Sequence, residues 1–246
     1  AIFKQLAMVN GILFLFNLIP GLPLDGGHVL QSFLWHFTGD LEISTRISSY
    51  AGIGLGISFI LLASIFLVNG ALLNGVWLVF IGLFIISSAK MSYQNIKLEK
   101  ILQEHNVKVA SHQNYTVLPK ETTIREAVEN YLLWQPNRVF LVFENMQMEK
   151  NGKFPADNYL GIISMKDIKA EQGANWHSKT LEVILKQKNN GIFLKPDMNL
   201  KDALRIMTRN EMLHMAVVED GFIEGVLSQV DILKMLEILQ TYEKKR

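Results

Sequence analysis

The feature that most constrains the fold is a stretch without any charged residue, from Ile47 to Ala89. It is 43 residues long, whereas one helix crosses a bilayer with about 20 apolar residues. The stretch is therefore predicted to hold two membrane spans, at about 47–68 and 71–89. After Lys90 the composition becomes that of an ordinary soluble domain, so the 246 residues are predicted to contain a membrane part and a soluble part.

An earlier apolar segment, at about residues 2–37, carries one carboxylate. Asp25 is the only formally charged side chain between Lys4 and Asp40. A carboxylate within a membrane segment costs roughly 3 kcal/mol on insertion scales, so it usually has a function or a partner. Because a carboxylate oxygen is a good ligand for a catalytic metal, Asp25 is predicted to bind a metal ion.

The same segment is not expected to form one regular helix. Pro20 and Pro23 each lack a backbone N–H. Irregular backbone at membrane depth is tolerated only where it faces protein or a water-filled cavity. A kinked packing helix is the simpler alternative, but the coincidence of the break with Asp25 favours a functional site.

Charge and cysteine content exclude some classes of function. The net charge is +1 and no clustered basic face is visible, so nucleic acid is not an expected partner. The absence of cysteine excludes disulfides and thiolate metal sites. Because the chain begins at Ala1 close to an apolar segment, we expect it to be part of a longer protein.

Basic residues near the predicted spans indicate their orientation. Lys90, Lys97 and Lys100 follow the third span, whereas the loop before it, residues 69–74, is uncharged. Cytoplasmic loops carry the excess of Lys and Arg, so the soluble part is predicted to be cytoplasmic in a multi-pass integral membrane protein. Residues 91–110 are predicted to form a helical linker between the two parts.

The soluble part contains an internal repeat of about 60 residues. Its order predicts two β-α-β-β-α units, and Asp220-Gly221 between apolar runs predicts a hairpin turn in the second. The first copy replaces that turn with a polar insertion, residues 145–158. The predicted domains are residues 1–90, the linker 91–110, and the two units 111–172 and 173–240. The predicted elements are 116–119, 123–134, 138–144 and 159–164 in the first copy, and 191–196, 199–210, 214–219 and 222–228 in the second.

Residues 17–27, NLIPGLPLDGG, resemble the NxxPxxPxDGG motif of the site-2 protease family of intramembrane zinc metalloproteases. The resemblance extends to about Ala89 and implies that Asp25 completes a zinc site. It implies that Asn17 contacts the substrate or the developing oxyanion. For His28 it implies no certain role, and packing or support of the site is expected rather than direct metal binding.

One element of that family is missing from the sequence. The family takes its other zinc ligands and its general base from an HExxH helix, where two histidines four residues apart share one face. None of the six histidines lies in such a motif. The remaining ligands are therefore expected before Ala1, and this chain alone is not expected to hydrolyse peptide bonds.

The soluble part resembles a tandem pair of CBS domains over about residues 111–240. The matching segments are GIISMKD at 161–167 and GVLSQVD at 225–231. The resemblance implies an adenosine nucleotide, ATP, ADP or AMP, as a ligand. Each unit is small and exposes strands, so pairing of the units is expected, with a homodimer as one form of it. The alternative is that each Ser and Asp only caps the following helix. The implied contacts are Asp167 and Asp231 with ribose, and Ser164 and Ser228 with phosphate.

Three functions remain open from the sequence. The first is an intramembrane zinc metalloprotease, a hydrolase that cleaves membrane-embedded protein substrates under regulation by a cytoplasmic CBS pair. The second is a CBS-regulated transporter or channel, because an intramembrane aspartate can lie on an ion path. The third is a catalytically inactive membrane scaffold. The expected fold in each case is an α-helical membrane domain with about three transmembrane segments, the first broken at Pro20–Pro23, followed by an α/β tandem CBS domain.

Overall fold

The computed structural model describes residues 2–132, 139–146, 152–171, 175–185 and 192–244. The chain divides into two compact units, Ala1–Lys100 and Ile101–Arg246. The first unit is helical, and the second combines helices with strands. This order confirms the predicted fold class, a helical apolar part followed by an α/β part.

Four helices begin in the first unit. They are α1 Ile2–Asn17, α2 Asp25–Thr38, α3 Leu41–Val68 and α4 Leu72–Glu104. By length and composition α3 and α4 could each cross a membrane, and α1 is a shorter apolar helix. Residues 18–24 between α1 and α2 contain both prolines and are not helical, which confirms the predicted break.

Two helices extend beyond the predicted spans. Helix α3 begins at Leu41 because the carboxylate of Asp40 caps it, accepting the backbone N–H groups of Glu42 at 2.7 Å and Ile43 at 3.2 Å. Helix α4 continues to Glu104 because no proline or glycine interrupts residues 83–104. Most of the predicted linker is therefore part of the same helix as the third span.

Glycines bring α3 and α4 close together. A β-carbon on Gly56 would lie 2.7 Å from the carbonyl oxygen of Gly82, and one on Gly82 would lie 2.7 Å from that of Gly56. Such close backbone approach is typical of membrane helix pairs. Gly56 is the last of three alternating glycines at positions 52, 54 and 56 of α3.

The second unit contains the remaining elements. A π-helical turn, Val128–Leu132, follows α6, and a 3₁₀ turn, Ala156–Asn158, precedes β3. The helices are α5 Val107–Ala110, α6 Ile124–Ala127, α7 Met165–Ala170, α8 Leu181–Leu185, α9 Leu200–Arg209 and α10 Gln229–Lys244; the strands are β1 Tyr115–Pro119, β2 Val139–Phe143, β3 Tyr159–Ile163, β4 His214–Glu219 and β5 Phe222–Ser228.

The two copies of the repeat have the same arrangement. Strand β1 is parallel to β2, and β2 is antiparallel to β3. In the second copy β4 is antiparallel to β5, and Leu194 makes a parallel bridge with Val217. Strand β4 of the second copy corresponds to β2 of the first. Both strands have a bulge at the same point, β2 at Val142/Phe143 and β4 at Val217/Val218. The turn residues Asp220 and Gly221 both have positive φ, as the predicted hairpin requires.

Two predicted elements differ in the structure. The strand predicted at 191–196 is reduced to the single bridge at Leu194, because Pro196 has no N–H to extend the ladder. Residue 191 lies outside the described residues. The helix predicted at 123–134 becomes a π-helical turn after Ala127, and residues 133–138 lie outside the described part of the chain.

Strand β2 is buried on both faces. Phe140 and Val142 pack into a core with α6, α7 and α8, whereas Leu141 and Phe143 pack into a core with β4 and β5. Because successive strand residues point to opposite faces, this explains why its five residues are all apolar. The two copies therefore share a core.

Each copy also receives the segment that precedes the other. The N–H of Val107 donates to the Met198 carbonyl at 2.8 Å, so the segment before the first copy packs on the second. The N–H of Leu181 donates to the Thr122 carbonyl at 2.9 Å, so the segment before the second copy packs on the first. Residues near 112 are thereby placed beside the second copy.

Candidate metal and nucleotide sites

The irregular segment 18–24 is docked on α3. The N–H of Leu22 donates to the carbonyl of Ser48 at 3.0 Å, and the Leu22 side chain is buried. A β-carbon on Gly52, one turn further along α3, would lie 1.8 Å from the Leu22 oxygen. The segment thus lies directly on the backbone of α3.

Asn17 and Asp25 lie at the two ends of this segment. Asn17 is the last residue of α1, and Asp25 is the first residue of α2. Both residues are exposed. A carboxylate in the first turn of a helix interacts favourably with the helix dipole.

Asp25 fits a zinc site as one of its ligands. A catalytic zinc takes about three protein ligands, and a carboxylate oxygen is one of the accepted types. Within the described residues there is no group of three or more His, Asp or Glu side chains that could hold a metal ion. Nδ1 of His28 lies 3.4 Å from Oε1 of Gln31. The described residues therefore do not form a complete zinc site by themselves.

A polar seam between α2 and α3 was not foreseen from the sequence. Nε2 of Gln31 donates to Oγ1 of Thr45 at 2.6 Å, and the hydroxyls of Thr38 and Ser44 are 2.9 Å apart. Its signal in the sequence is the pattern of hydroxyl residues at 44, 45, 48 and 49, which share one helical face and are buried. These bonds fix α2, and with it Asp25, against α3.

In the second unit a cavity of about 530 Å³ brings three of the four predicted nucleotide contacts together. Ser164, Ser228 and Asp231 line it, whereas Asp167 is not among the residues that line it. Its other lining side chains are His112, Asn114, Val139, Met165, Lys166, Leu213, His214, Val230 and Lys234. Lysines from both copies, Lys166 and Lys234, thus line the same cavity, an arrangement that favours an anionic ligand.

Both Ser–Asp pairs cap helices. Oδ2 of Asp167 accepts the N–H and the hydroxyl of Ser164, each at 2.7 Å. Oδ2 of Asp231 accepts the N–H of Ser228 at 3.1 Å and also its hydroxyl, and Oγ of Ser228 accepts the N–H of Asp231 at 3.1 Å. Both Ser–Asp pairs therefore cap the helix that follows them, which is the alternative role that the sequence left open.

His112 is a cavity residue that the sequence reasoning missed. Its Nε2 lies 3.0 Å from Oδ2 of Asp231, and its Nδ1 accepts the N–H of Asn114 at 3.1 Å. The backbone of His112 pairs with Val226 of β5 in both directions, at 3.0 and 2.9 Å. No local sequence signal links residues so far apart in the chain.

Comparison with known proteins assigns two parts of the chain. The model of peptidase family M50 matches residues 1–61, and the CBS domain model matches residues 188–238. Residues 1–61 are thus similar to M50 peptidases, and residues 188–238 are similar to CBS domains. The predicted resemblance to both families is therefore confirmed.

Curated proteins that are similar to this chain carry protease names. A Synechocystis protein named "Putative zinc metalloprotease sll0528" is 30% identical over 240 residues, which are 96% of this chain and 60% of that protein. "Zinc metalloprotease MJ0392" of Methanocaldococcus jannaschii is 26% identical over 239 residues, 97% of this chain and 61% of that protein. The chain thus spans about 60% of the length of these relatives.

Solved structures resemble the CBS part. The CBS domain of a bacterial CNNM/CorC family Mg²⁺ transporter aligns with a TM-score of 0.47 at 14% identity, covering 58% of this chain and 82% of that one. At these values the likeness carries no conclusion about ligand or activity.

Proposed function

We propose that the intact protein is an intramembrane zinc metalloprotease in which Asp25 is one zinc ligand. The observation that carries the proposal is the position of the NxxPxxPxDGG residues, which place Asn17 and Asp25 at the two ends of an irregular segment docked on an apolar helix. The zinc metalloprotease names of relatives that align with nearly the whole chain support the same reaction.

A bound zinc would supply Lewis-acid polarisation of the scissile carbonyl and a nucleophile at neutral pH. In this arrangement the exposed carboxylate of Asp25 would hold the metal. The exposed Asn17 amide donates a hydrogen bond to the substrate backbone or to the oxygen that becomes negative during the reaction. A membrane helix must unwind locally before its backbone can reach these groups.

We also propose that α1–α2, α3 and α4 lie in the membrane and that the CBS part is cytoplasmic. Nζ of Lys100 lies 2.6 Å from Oε2 of Glu42. The start of α3 and the C-terminal part of α4 are therefore on the same side of the proposed membrane. The basic residues after the third span favour the cytoplasm for that side. The division into a 91–110 linker and units at 111–172 and 173–240 stays a prediction.

For the CBS part we propose binding of an adenosine nucleotide, ATP, ADP or AMP, in the cavity at Ser164, Ser228 and Asp231. Its size and its two lysines suit a phosphorylated ligand. Pairing of two chains through this part is supported by exposed apolar residues on α10, including Leu233, Ile238 and Tyr242.

The metal proposal is tested by the zinc content of the purified intact protein. Asp25→Asn preserves the size of the side chain and is expected to remove bound zinc and peptidase activity. His36→Gln, on the exposed face of the same helix, serves as the matched control and is expected to retain both. Equal zinc content in wild type and Asp25→Asn would contradict the proposal and favour a transporter or an inactive scaffold.

A further inference from the structure

The last turn of α4 belongs to the second unit. Helix α4 runs from Leu72 to Glu104, and the second unit begins at Ile101. The side chains of Ile101 and Leu102 are both buried. The apolar helix and the α/β part are therefore joined by continuous helix and not by a loop.

The residues that follow α4, 105–114, form a connecting segment whose first half is fixed to the start of α9. The carbonyl of His105 accepts the N–H of Leu200 at 2.9 Å, and the N–H of Val107 donates to the Met198 carbonyl at 2.8 Å. The Val107 side chain is completely buried. This half of the connecting segment therefore holds the end of α4 on the second copy.

The second half of the connecting segment reaches the cavity. The N–H of His112 donates to the carbonyl of Val226 in β5 at 3.0 Å, and the N–H of Val226 donates to the His112 carbonyl at 2.9 Å. The side chains of His112 and Asn114 line the cavity. Between the two fixed halves, the N–H of Ser111 donates to the Val107 carbonyl at 2.9 Å. A hydrogen-bonded turn therefore links the cavity wall to the end of α4.

A ligand in the cavity lies between two walls. His112 and Asn114 belong to the connecting segment, whereas Ser228 and Asp231 belong to the second copy. Nε2 of His112 lies 3.0 Å from Oδ2 of Asp231, so the two walls meet at this point. A ligand that contacts both walls binds only while the connecting segment is docked on β5, and it therefore stabilises the docked state.

We propose that ligand binding in the cavity is transmitted to α4 through the connecting segment. The inference rests on the proposed nucleotide function of the cavity. Residues 109–114 are the weakly held part of the segment, because their backbone bonds to the second copy are the two between His112 and Val226. Local opening begins where few such bonds hold the chain. A ligand that suppresses this opening also restrains the hydrogen-bonded turn and the last turn of α4, so occupancy of the cavity controls the order of the helix.

The experiment measures amide hydrogen exchange of the full chain in detergent, with and without saturating ATP. In the wild-type chain ATP is expected to slow exchange at least about fivefold in residues 105–114 and also in residues 91–100 of α4. A Gly-Ser-Gly insertion after Lys100 interrupts the helix but leaves the sequence of residues 101–114 unchanged. In this variant ATP is expected to slow exchange in residues 105–114 only.

A matched control carries the same insertion after Gly70. This glycine lies in the exposed turn between α3 and α4, and a β-carbon on it would meet nothing within 4 Å. The control leaves the path from the cavity to residues 91–100 uninterrupted, so it is expected to respond to ATP as the wild type does.

Calorimetric titration of ATP into the same three forms separates this inference from the proposed function. If ATP binds to the wild type but leaves exchange in residues 91–100 unchanged, nucleotide binding stands and the transmission is overturned. Slowing of residues 91–100 that persists in the Lys100 insertion variant overturns it as well, because the effect would then not require the continuous helix. If ATP binds to none of the three forms, both proposals fail. The wild-type comparison with and without ATP does not depend on any variant being folded.

Discussion

Gly52 of α3 faces the carbonyl oxygen of Leu22 so closely that a β-carbon on Gly52 would lie 1.8 Å from that oxygen. Real β-carbons do not approach a backbone oxygen to that distance, so no other residue fits without movement of the irregular segment. Because this segment joins Asn17 to Asp25, the position of both proposed active-site residues depends on the missing side chain of Gly52.

The first prediction compares Gly52→Ala with Gly54→Ala. Gly52→Ala is expected to destabilise the protein by about 1–3 kcal/mol through overpacking and to weaken zinc binding. A β-carbon on Gly54 meets nothing within 4 Å, so Gly54→Ala is expected to be neutral or slightly stabilising. The measurement is thermal unfolding in detergent, together with zinc content. Equal melting temperatures of the two variants would show that the segment is not fixed by this contact.

The sequence predicts the broken first segment, the apolar spans and the repeat because each depends on local features. Pro20 and Pro23 remove backbone donors wherever the chain folds, and Asp220-Gly221 favours a hairpin in any context. The contact between His112 and Asp231 could not be predicted. It joins residues more than a hundred positions apart and arises only because the segment before the first copy packs on the second.

The structure also decides between two roles for the Ser–Asp pairs that the sequence could not separate. The Ser–Asp spacing at 164–167 and 228–231 is shared by a helix cap and by a nucleotide site, so the sequence left both open. The structure shows the caps at both positions and places only Asp231 of the two aspartates at the cavity. Packing between the two copies determines which of the two aspartates lines the cavity, and no local sequence pattern encodes that packing.

The second prediction concerns the polar seam between α2 and α3. Gln31→Leu or Thr45→Val alone is expected to cost about 0.5–1.5 kcal/mol, because each removes the 2.6 Å hydrogen bond between α2 and α3. The double variant is expected to be less destabilised than the sum of the two. Unfolding free energies of the four forms give the coupling energy. Simple additivity would show that the pair does not hold α2 on α3.

The third prediction separates capping from ligand binding. Asp167→Asn and Asp231→Asn both weaken a helix cap, so each is expected to lower stability by about 1 kcal/mol. Only Asp231→Asn is expected to lower ATP affinity markedly, since Asp231 lines the cavity and Asp167 does not. Thermal unfolding and calorimetric titration with ATP measure the two effects on the same preparations. Equal loss of ATP affinity in both variants would contradict the single cavity as the binding site.

The fourth prediction is a loss of stability at alkaline pH caused by Tyr159. Burial raises the pKa of the Tyr159 phenol well above its ordinary value of about 10, and the ring lies against Phe143 and Phe193 at centroid distances of 5.7 and 5.4 Å. Above about pH 10 the unfolded chain releases this proton while the folded chain keeps it. The stabilisation is therefore complete below about pH 10 and is lost as the pH rises toward the raised pKa of the folded state.

Tyr159→Phe removes the titrating group but keeps the ring, so its unfolding free energy should fall less steeply above about pH 10 than that of wild type. Tyr242→Phe is the matched control, because Tyr242 is exposed on α10, and it is expected to follow the wild-type curve. Chemical unfolding of the three full chains between about pH 8 and pH 11 provides the comparison. The lysines titrate equally in all three, so the difference between the curves isolates Tyr159. Parallel curves for wild type and Tyr159→Phe would mean that the phenol ionises as easily in the folded chain as in the unfolded one, and the aromatic core between the two copies would then have to admit water.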